Sequence, residues 1–110
     1  MPRRYKGSVR RRIVIGENMK RIRRAAKQIQ AKWYQGWKVD PWDAGIAEKR
    51  NRRWIIEKMK QGCEIVDIGI DPTRNQRSRF YQMEKQILND NRYPIVPYDR
   101  ISRKRGSTEQ

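Results

Sequence analysis

Two short runs of β-branched residues constrain the fold of this chain more than any other feature. Ile13-Val14-Ile15 ends at Gly16, and the segment Cys63 to Ile70 reads CEIVDIGI before Asp71-Pro72 interrupts it. Contiguous apolar runs of this length are typical of strands covered on both faces, as in parallel sheets. We therefore expect one strand from Val9 to Gly16 and another from Cys63 to Ile70.

Helical periodicity accompanies these strands in three places. It predicts helices over residues 17–31, 44–61 and 79–89, with Gly62 ending the second and Ser78 capping the third. The residues expected to face the core are Met19, Ile22, Ala26 and Ile29, then Ala47, Trp54, Ile55 and Met59, then Phe80, Met83 and Ile87.

The order of the elements predicts the fold class. Two further short strands are expected over residues 32–35 and 93–98, the last at a sheet edge because Pro94 and Pro97 disfavour a central position. Alternating strands and helices predict an α/β fold: a small three-layer or two-layer sandwich with a short, mostly parallel sheet and about three helices. We expect one domain over residues 9–101, a basic tail over 1–8 and a disordered basic and polar tail over 102–110.

The charge of the chain points to a polyanionic partner. The 28 Lys and Arg against 12 Asp and Glu give a net charge of +16, which is typical of proteins that bind nucleic acid. Residues 63–90 are the exception, with four bases and five acids. The residues expected to contact phosphates are Lys20, Arg23, Arg24, Lys27, Lys49, Arg50, Arg52, Arg53 and Arg74. Trp33, Trp37 and Trp42 either stack on bases or belong to the core.

Missing residue types exclude several kinds of site. The chain has no histidine and one cysteine, Cys63, which excludes zinc sites built on His or Cys, histidine-dependent ribonucleases and Ser-His-Asp hydrolases. The single cysteine indicates a reducing compartment or is simply a small buried residue, and we expect the chain in the cytoplasm of the producing or the target cell. No apolar run approaches the roughly 18 residues of a membrane-spanning helix, so no membrane partner is expected.

Polar residues cluster where the two main strands end. In open α/β sheets, ligands bind beyond the carboxyl ends of the strands. Glu17 and Asn18 follow the first strand, and Asp67 and Asp71 close the second. We expect one site there, which also includes Arg74, Arg77 and Ser78 from the segment before the third helix.

Asp67 is the most unusual residue of this set because it lies within an apolar strand. It either pairs with a nearby base as a structural carboxylate or belongs to a functional site. A magnesium ion on Asp67 and Asp71 is chemically possible, but no acidic-x-Lys triplet follows Asp67 and Glu64 falls on the opposite strand face. We therefore expect no cofactor. Metal-independent phosphodiester chemistry would instead use Arg, Glu, Asp or Tyr81.

Several segments resemble a known family. The segments IVIGENMKRI, AKWYQGW, RNRRWIIEKMKQGCEIVDIGID and RSRFYQMEKQIL, followed by RYP, are similar to the C-terminal domain of some Rhs-type (YD-repeat) and related polymorphic toxin proteins. The most specific parts are DIGID, at Asp67 to Asp71, and RSRFYQMEK, at Arg77 to Lys85. The resemblance implies a compact toxin-like effector that acts inside a target cell, is frequently a nuclease and is often held inactive by a cognate immunity protein, here expected to be acidic.

These observations predict an effector domain that acts on nucleic acid, with a nuclease as the leading hypothesis. The expected catalytic residues are Asp67, Asp71, Arg77 and Glu84, with Asp67 or Glu84 as the base and Arg77 as the phosphate clamp. One alternative is a non-catalytic module that binds RNA or DNA through its charge. Another is a domain that binds an acidic protein partner.

Overall fold

The computed structural model describes residues 11–36 and 43–101, and these form a three-layer α/β sandwich. The elements are β1 (Arg12–Ile15), α1 (Met19–Gln28), β2 (Lys32–Trp33), α2 (Ala44–Lys60), β3 (Glu64–Asp67), α3 (Arg79–Asp90) and β4 (Ile95–Pro97). Residues 98–101 form a further helical turn at the end of the described chain. The expected α/β class and element order are confirmed. The two expected tails, Trp37 and Trp42 lie outside the described residues.

The four strands are all parallel, in the order β2-β1-β3-β4. The chain leaves β1 towards β2 on one side and then crosses to β3 on the other side. The loops that follow β1 and β3 therefore diverge, and such a switch in direction opens a crevice at the carboxyl edge of a sheet. β4 lies at an edge, as its prolines predict.

Alternation along the strands divides the core between the two faces of the sheet. Ile13, Ile15 and Ile65 pack against α2 and α3, while Val14 and Val66 pack against α1. All five side chains are almost fully buried. This two-sided burial explains why the apolar runs are contiguous rather than alternating with polar residues.

All the elements except α3 are shorter than the sequence pattern predicts, for local reasons, and α3 extends one residue further than predicted, to Asp90. α1 starts after Asn18, whose Oδ1 accepts a hydrogen bond from the backbone N–H of Lys20. It ends at Gln28 because Gln30 adopts a left-handed φ of 56° and the N–H of Ala31 donates back to the Ala26 carbonyl. β3 ends at Asp67, whose side chain accepts from the N–H of Gly69, where the backbone turns.

Four residues expected in the core are less buried than predicted, namely Met19, Trp54, Met59 and Phe80. Met19 is 39% exposed because it stands at the carboxyl edge of the sheet, past the end of β1. Trp54 is only partly buried and packs beside Tyr34, with ring centroids 5.2 Å apart. Tyr81 and Leu88 of α3 are core residues that the sequence pattern did not single out.

Candidate functional site

A cavity of about 270 Å³ opens at the carboxyl end of β1, where the chain switches direction. Its walls come from the end of β1 and the β1–α1 turn, the first turn of α1, the first two turns of α2 and α3, and residues after β2 and before α3. Most of the lining is apolar. The polar residues that line it are Asn18, Tyr34, Asn51, Arg74, Ser78 and Glu84. An apolar cavity with a few convergent polar groups is typical of a ligand site.

Glu17 anchors one wall of the cavity. Its side chain is fully buried, and its two oxygens accept hydrogen bonds from the backbone N–H groups of Asp71 at 2.8 Å and Ser78 at 2.7 Å. Arg77 Nε lies 3.4 Å from Glu17 Oε2. Burial raises the pKa of Glu17, but these hydrogen bonds and the charges of Arg77 and Arg74 outweigh it, so the pKa lies below its ordinary value. Glu17 is therefore a carboxylate, and in this form its hydrogen bonds hold the loop between β3 and α3 in place.

Asp71 belongs to the same structural network. Its carboxylate accepts hydrogen bonds from Asn18 Nδ2 at 2.9 Å and from the hydroxyl and N–H of Thr73 at 2.7 and 3.0 Å. The bonds from Asn18 and Thr73 lower the pKa of Asp71 to about 2, against the opposing effect of burial. A carboxylate with these partners is a poor base. It instead links the turn that follows β1 to the loop that follows β3.

Arg77 is also held within the protein. Besides Glu17, its guanidinium donates to the backbone carbonyls of Asp71 and Arg74, at 3.5 and 3.1 Å. Arg74, by contrast, is exposed and lines the cavity. Arg74 is therefore better placed than Arg77 to contact a phosphate group outside the protein.

Glu84 and Asn51 form the polar end of the cavity. Both side chains are buried, at 6% and 2% exposure, on facing positions of α3 and α2. Burial raises the pKa of Glu84 to about 8, a hydrogen bond from the Asn51 side chain lowers it, and the nearby charge of Asp67 raises it further. Glu84 consequently carries its proton at neutral pH. Among the described residues, Asn51 Oδ1 is buried without a hydrogen-bond partner.

Aromatic rings and further cations lie around the same cavity. Tyr34 and Phe80 contribute rings to its lining. Burial raises the pKa of Tyr34, whereas the charge of Arg50 on α2 lowers it, which places a cation near this hydroxyl. Rings beside cations are the usual means by which proteins bind bases and their phosphates together.

Asp67 lies apart from this cavity. It accepts hydrogen bonds from the Tyr81 hydroxyl at 2.9 Å and from Lys85 Nζ at 3.0 Å, on the α3 side of the sheet. The pKa of Tyr81 is raised by burial first and then by the bond to Asp67. Asp67 lines a separate shallow groove with Lys85. Glu64 lies on the opposite strand face, where it pairs with Arg12 at 2.7 Å.

The expected site residues therefore separate into three groups. Glu17, Asn18, Asp71, Arg77 and Ser78 come together as a brace between the strand-end loops. Asp67 and Tyr81 form a second cluster with Lys85. The third group, Glu84 and Arg74, lines the cavity. Glu84 is the only one of the four expected catalytic residues in this group. Among the described residues, no group of three or more Asp, Glu, Cys or His is arranged to hold a metal ion.

The expected phosphate-binding residues are on the surface. All of them are exposed, and they are Lys20, Arg23, Arg24 and Lys27 of α1, Lys49, Arg50, Arg52 and Arg53 of α2, and Arg74. Lys20 and Arg23 line a groove together with Trp33, and Met19 lines both this groove and the cavity. The groove therefore adjoins the cavity at the start of α1.

Asn51, Tyr34 and Phe80 are cavity residues that the sequence prediction did not assign to the site. One signal for Asn51 was present, because it occupies the apolar stripe of α2 between Ala47 and Ile55, one helical turn from each. A polar residue in such a stripe indicates a buried hydrogen bond or a site. No comparable signal distinguishes Tyr34.

Comparison with known proteins adds no relative. None of the described helices has the length and apolar character needed to cross a membrane. Searches of protein-family models, curated proteins and solved structures find no match to this chain.

Proposed function

We propose that this chain acts on nucleic acid, as a histidine-independent nuclease whose cavity receives one nucleotide of the strand. The observation that carries the proposal is Glu84, a buried carboxyl group that holds a proton at neutral pH inside an apolar cavity. A proton-transfer group works best when its pKa is close to the working pH. The net charge of +16 supplies the general attraction for a polyanion.

The surroundings of the cavity favour a polymer over a small free ligand. The groove with Lys20, Arg23 and Trp33 adjoins the cavity through Met19, and Arg74 lines the cavity itself. The charge of Arg50 acts on Tyr34 in the cavity lining. A strand with one nucleotide in the cavity can therefore place its neighbouring phosphates against cations on α1, α2 and the loop before α3. Phosphate contacts of this kind orient the strand without reading its sequence.

Within this proposal Glu84 moves the proton and Arg74 stabilises the phosphate. A water molecule or a ribose 2′-hydroxyl would attack the phosphorus and release its proton to solvent, and Glu84 would protonate the leaving oxygen as its bond to phosphorus breaks. Arg74 would offset the charge that develops on the phosphoryl oxygens. Glu17, Asp71 and Arg77 hold the loop that carries Arg74. We therefore assign them a positioning role instead of the catalytic role expected for Asp71 and Arg77.

The test is cleavage of labelled single-stranded and double-stranded RNA and DNA by the pure protein, with and without EDTA. We expect cleavage of at least one substrate, and a loss of about 10²-fold or more in Glu84→Gln, within the usual contribution of a proton-transfer group. Glu64→Gln is the matched control. Glu64 is a carboxylate at the amino-terminal end of β3, on the sheet edge opposite the cavity. Equal cleavage by Glu84→Gln and wild type, or no cleavage of any substrate, would contradict the proposal.

Two other outcomes correspond to the alternative functions. Binding of nucleic acid with a steep salt dependence but without cleavage would indicate a non-catalytic module. Weak, nonspecific binding of nucleic acid without cleavage, together with tight binding of a small acidic protein, would indicate a protein-interaction domain. Both outcomes exclude the nuclease.

A further inference from the structure

Trp33 borders a groove between α1 and the edge strand β2, next to the cavity. In the pairing of β1 with β2, Trp33 lies beside Val14, and side chains at paired positions point to the same face of the sheet. Trp33 therefore lies on the α1 face, where it packs against the core cluster that contains Val14. It is only partly buried there and also lines the groove, so its ring reaches both the core and the surface.

Two cations line the same groove. Lys20 and Arg23 are exposed, and they lie three residues apart on α1, on one face of the helix. An aromatic side chain beside cations is the combination with which proteins bind single-stranded nucleic acid, because the ring stacks on a base while the cations contact the backbone phosphates. The groove can therefore hold one nucleotide through its base and its phosphates.

The groove and the cavity adjoin at Met19, which lines both and is exposed. The aromatic residues of the two pockets are also neighbours in the chain. Trp33 lines the groove, whereas Tyr34 lines the cavity and packs beside Trp54 of α2. Two bases bound in these pockets would lie on either side of Met19 and would not stack on each other.

We propose that the groove is a second nucleotide subsite, in which one base stacks on Trp33 while the neighbouring base enters the cavity. The substrate is then single-stranded nucleic acid, because a duplex keeps its bases paired and stacked, and moving one out of the stack costs free energy. This inference rests on the proposed function, because it takes the cavity to receive one nucleotide of the strand.

Fluorescence anisotropy of a labelled oligonucleotide tests the preference for single strands. The protein is Glu84→Gln, in which we expect cleavage to be lost, and the buffer contains high salt, which weakens sequence-independent attraction to phosphates. We expect the single strand to bind at least about tenfold more tightly than the same strand paired with its complement, because the duplex has to extrude a base. Equal or tighter binding of the duplex overturns the inference.

Calorimetric titration with a dinucleotide tests the second subsite. The matched ligand is the abasic dinucleotide, which has the same sugars and phosphates but lacks one base. We expect the abasic ligand to bind to the Glu84→Gln protein about 5- to 150-fold more weakly, the usual loss for one base stacked on an aromatic side chain. Equal affinity for the two ligands overturns the inference, since only one base would then contact the protein.

Trp33→Leu, introduced into the same protein, tests the residue. Leucine keeps an apolar contact with the core but has no ring, so we expect the missing base to cause little loss of affinity in this variant. Trp54→Leu is the matched control and should keep the full loss, because Trp54 is also a partly buried tryptophan but packs against the core on the other face of the sheet. A folded Trp33→Leu protein that keeps the full loss overturns the inference.

Nuclear magnetic resonance provides a second measurement if Trp33→Leu does not fold. The indole N–H signal of Trp33 in the ¹⁵N-labelled Glu84→Gln protein should shift more with the dinucleotide than with the abasic ligand, because a stacked base changes the magnetic surroundings of the ring. Equal shifts with the two ligands overturn the assignment to Trp33.

The second subsite and the nuclease can fail separately. A Trp33-dependent loss of affinity without any cleavage of nucleic acid would refute the nuclease and leave the subsite standing. Glu84-dependent cleavage without a Trp33-dependent loss would do the reverse.

Discussion

At the scale of single residues, two carboxyl groups beside one cavity show how surroundings decide chemistry. Glu17 and Glu84 are both buried, yet the pKa of Glu17 lies below its ordinary value and the pKa of Glu84 rises to about 8. Glu17 receives two backbone N–H groups and an arginine, whereas Glu84 faces one amide and the charge of Asp67. Groups whose pKa values are pushed apart in this way often divide between structure and proton transfer.

The raised pKa of Glu84 gives a prediction about stability and pH. Its pKa is 4.5 when unperturbed and about 8 in the folded protein, so the folded state holds a proton that the unfolded state releases between these values. The free energy of unfolding should therefore fall as pH rises from 4.5 to 8, by up to about 1.4 kcal/mol per pH unit. The groups facing Glu84 are Asp67, Tyr34 and Tyr81, and the latter two stay neutral in this range.

Urea unfolding from pH 5 to pH 8 measures this effect. Glu84→Gln should remove most of the downward slope, and Glu64→Gln should keep it. A wild-type slope that survives in Glu84→Gln would mean that another group titrates.

Glu17 gives the opposite dependence. Its pKa is lowered in the folded protein, so its stabilising effect is present above its ordinary pKa of 4.5 and is lost as pH falls below that value. In Glu17→Gln, the side-chain NH₂ group would face the backbone N–H of Asp71 or of Ser78, and two donors cannot pair. We therefore expect Glu17→Gln to have a lower melting temperature at pH 7 than Glu64→Gln. Circular dichroism melts compare the two, and equal melting temperatures would show that the brace contributes nothing.

The sequence could predict the brace residues but not the polar end of the cavity. Glu17, Asn18 and Asp71 lie within four residues of a strand end, and the rule for carboxyl ends of parallel strands suffices to place them together. Asn51 and Glu84 meet only because α2 and α3 pack side by side. The apolar stripe of α2 marks Asn51 as unusual, but no local pattern identifies Glu84 as its partner. The raised pKa of Glu84 depends on the same packing of α2 against α3.

At the scale of elements, the turns after β1 and β3 are a single unit. The N–H of Ile68 donates to the Ile15 carbonyl at 3.0 Å, and the N–H of Glu17 donates to the Gly69 carbonyl at 3.2 Å. These bonds carry the parallel pairing of β1 and β3 beyond their ends.

The element order was predictable because each strand is a contiguous apolar run and each helix a periodic one. The residues at which helices and strands end were less predictable, because these ends depend on residues with left-handed backbone angles, such as Gln30.

Gly16 tests how tightly these turns pack. A Cβ atom built at Gly16 would lie 2.2 Å from Ile68 Cγ1 and 3.3 Å from the Gly69 carbonyl oxygen. We expect Gly16→Ala to cost about 1–3 kcal/mol of stability, as overpacked sites usually do. Gly45→Ala, in the first turn of α2, is the control and should change stability little. Equal stability of Gly16→Ala and wild type in urea would contradict this packing.

At the scale of the whole molecule, cations surround a locally acidic segment. Residues 63–90 have four bases and five acids, and they include Glu84 and the loop between β3 and α3. The exposed bases of α1 and α2 lie on either side of the sheet. The total charge was evident from the sequence, but the placement of Lys20 and Arg23 on a groove beside the cavity depends on how α1 is set against β2.

The groove on α1 makes a prediction about salt dependence. Removing two phosphate contacts in the double variant Lys20→Gln/Arg23→Gln should reduce the slope of log affinity against log salt by about 1.4 for single strands. The control, Lys60→Gln/Arg92→Gln, removes the same charge from exposed positions at the amino-terminal edge of the sheet and should leave the slope nearly unchanged. Fluorescence titration of an oligonucleotide at several salt concentrations measures both. Equal slopes for the two variants would indicate diffuse attraction without a defined path.

The most direct test of the central claim is to map where a strand contacts the protein. Nuclear magnetic resonance of the ¹⁵N-labelled Glu84→Gln protein, titrated with a short oligonucleotide at high salt, reports each backbone amide and the Asn51 side-chain amide. If the cavity receives a nucleotide, the largest shifts will fall on Gly16, Asn18, Asn51 and Ser78. Shifts confined to the basic faces of α1 and α2, with the Asn51 amide unmoved, would contradict the claim.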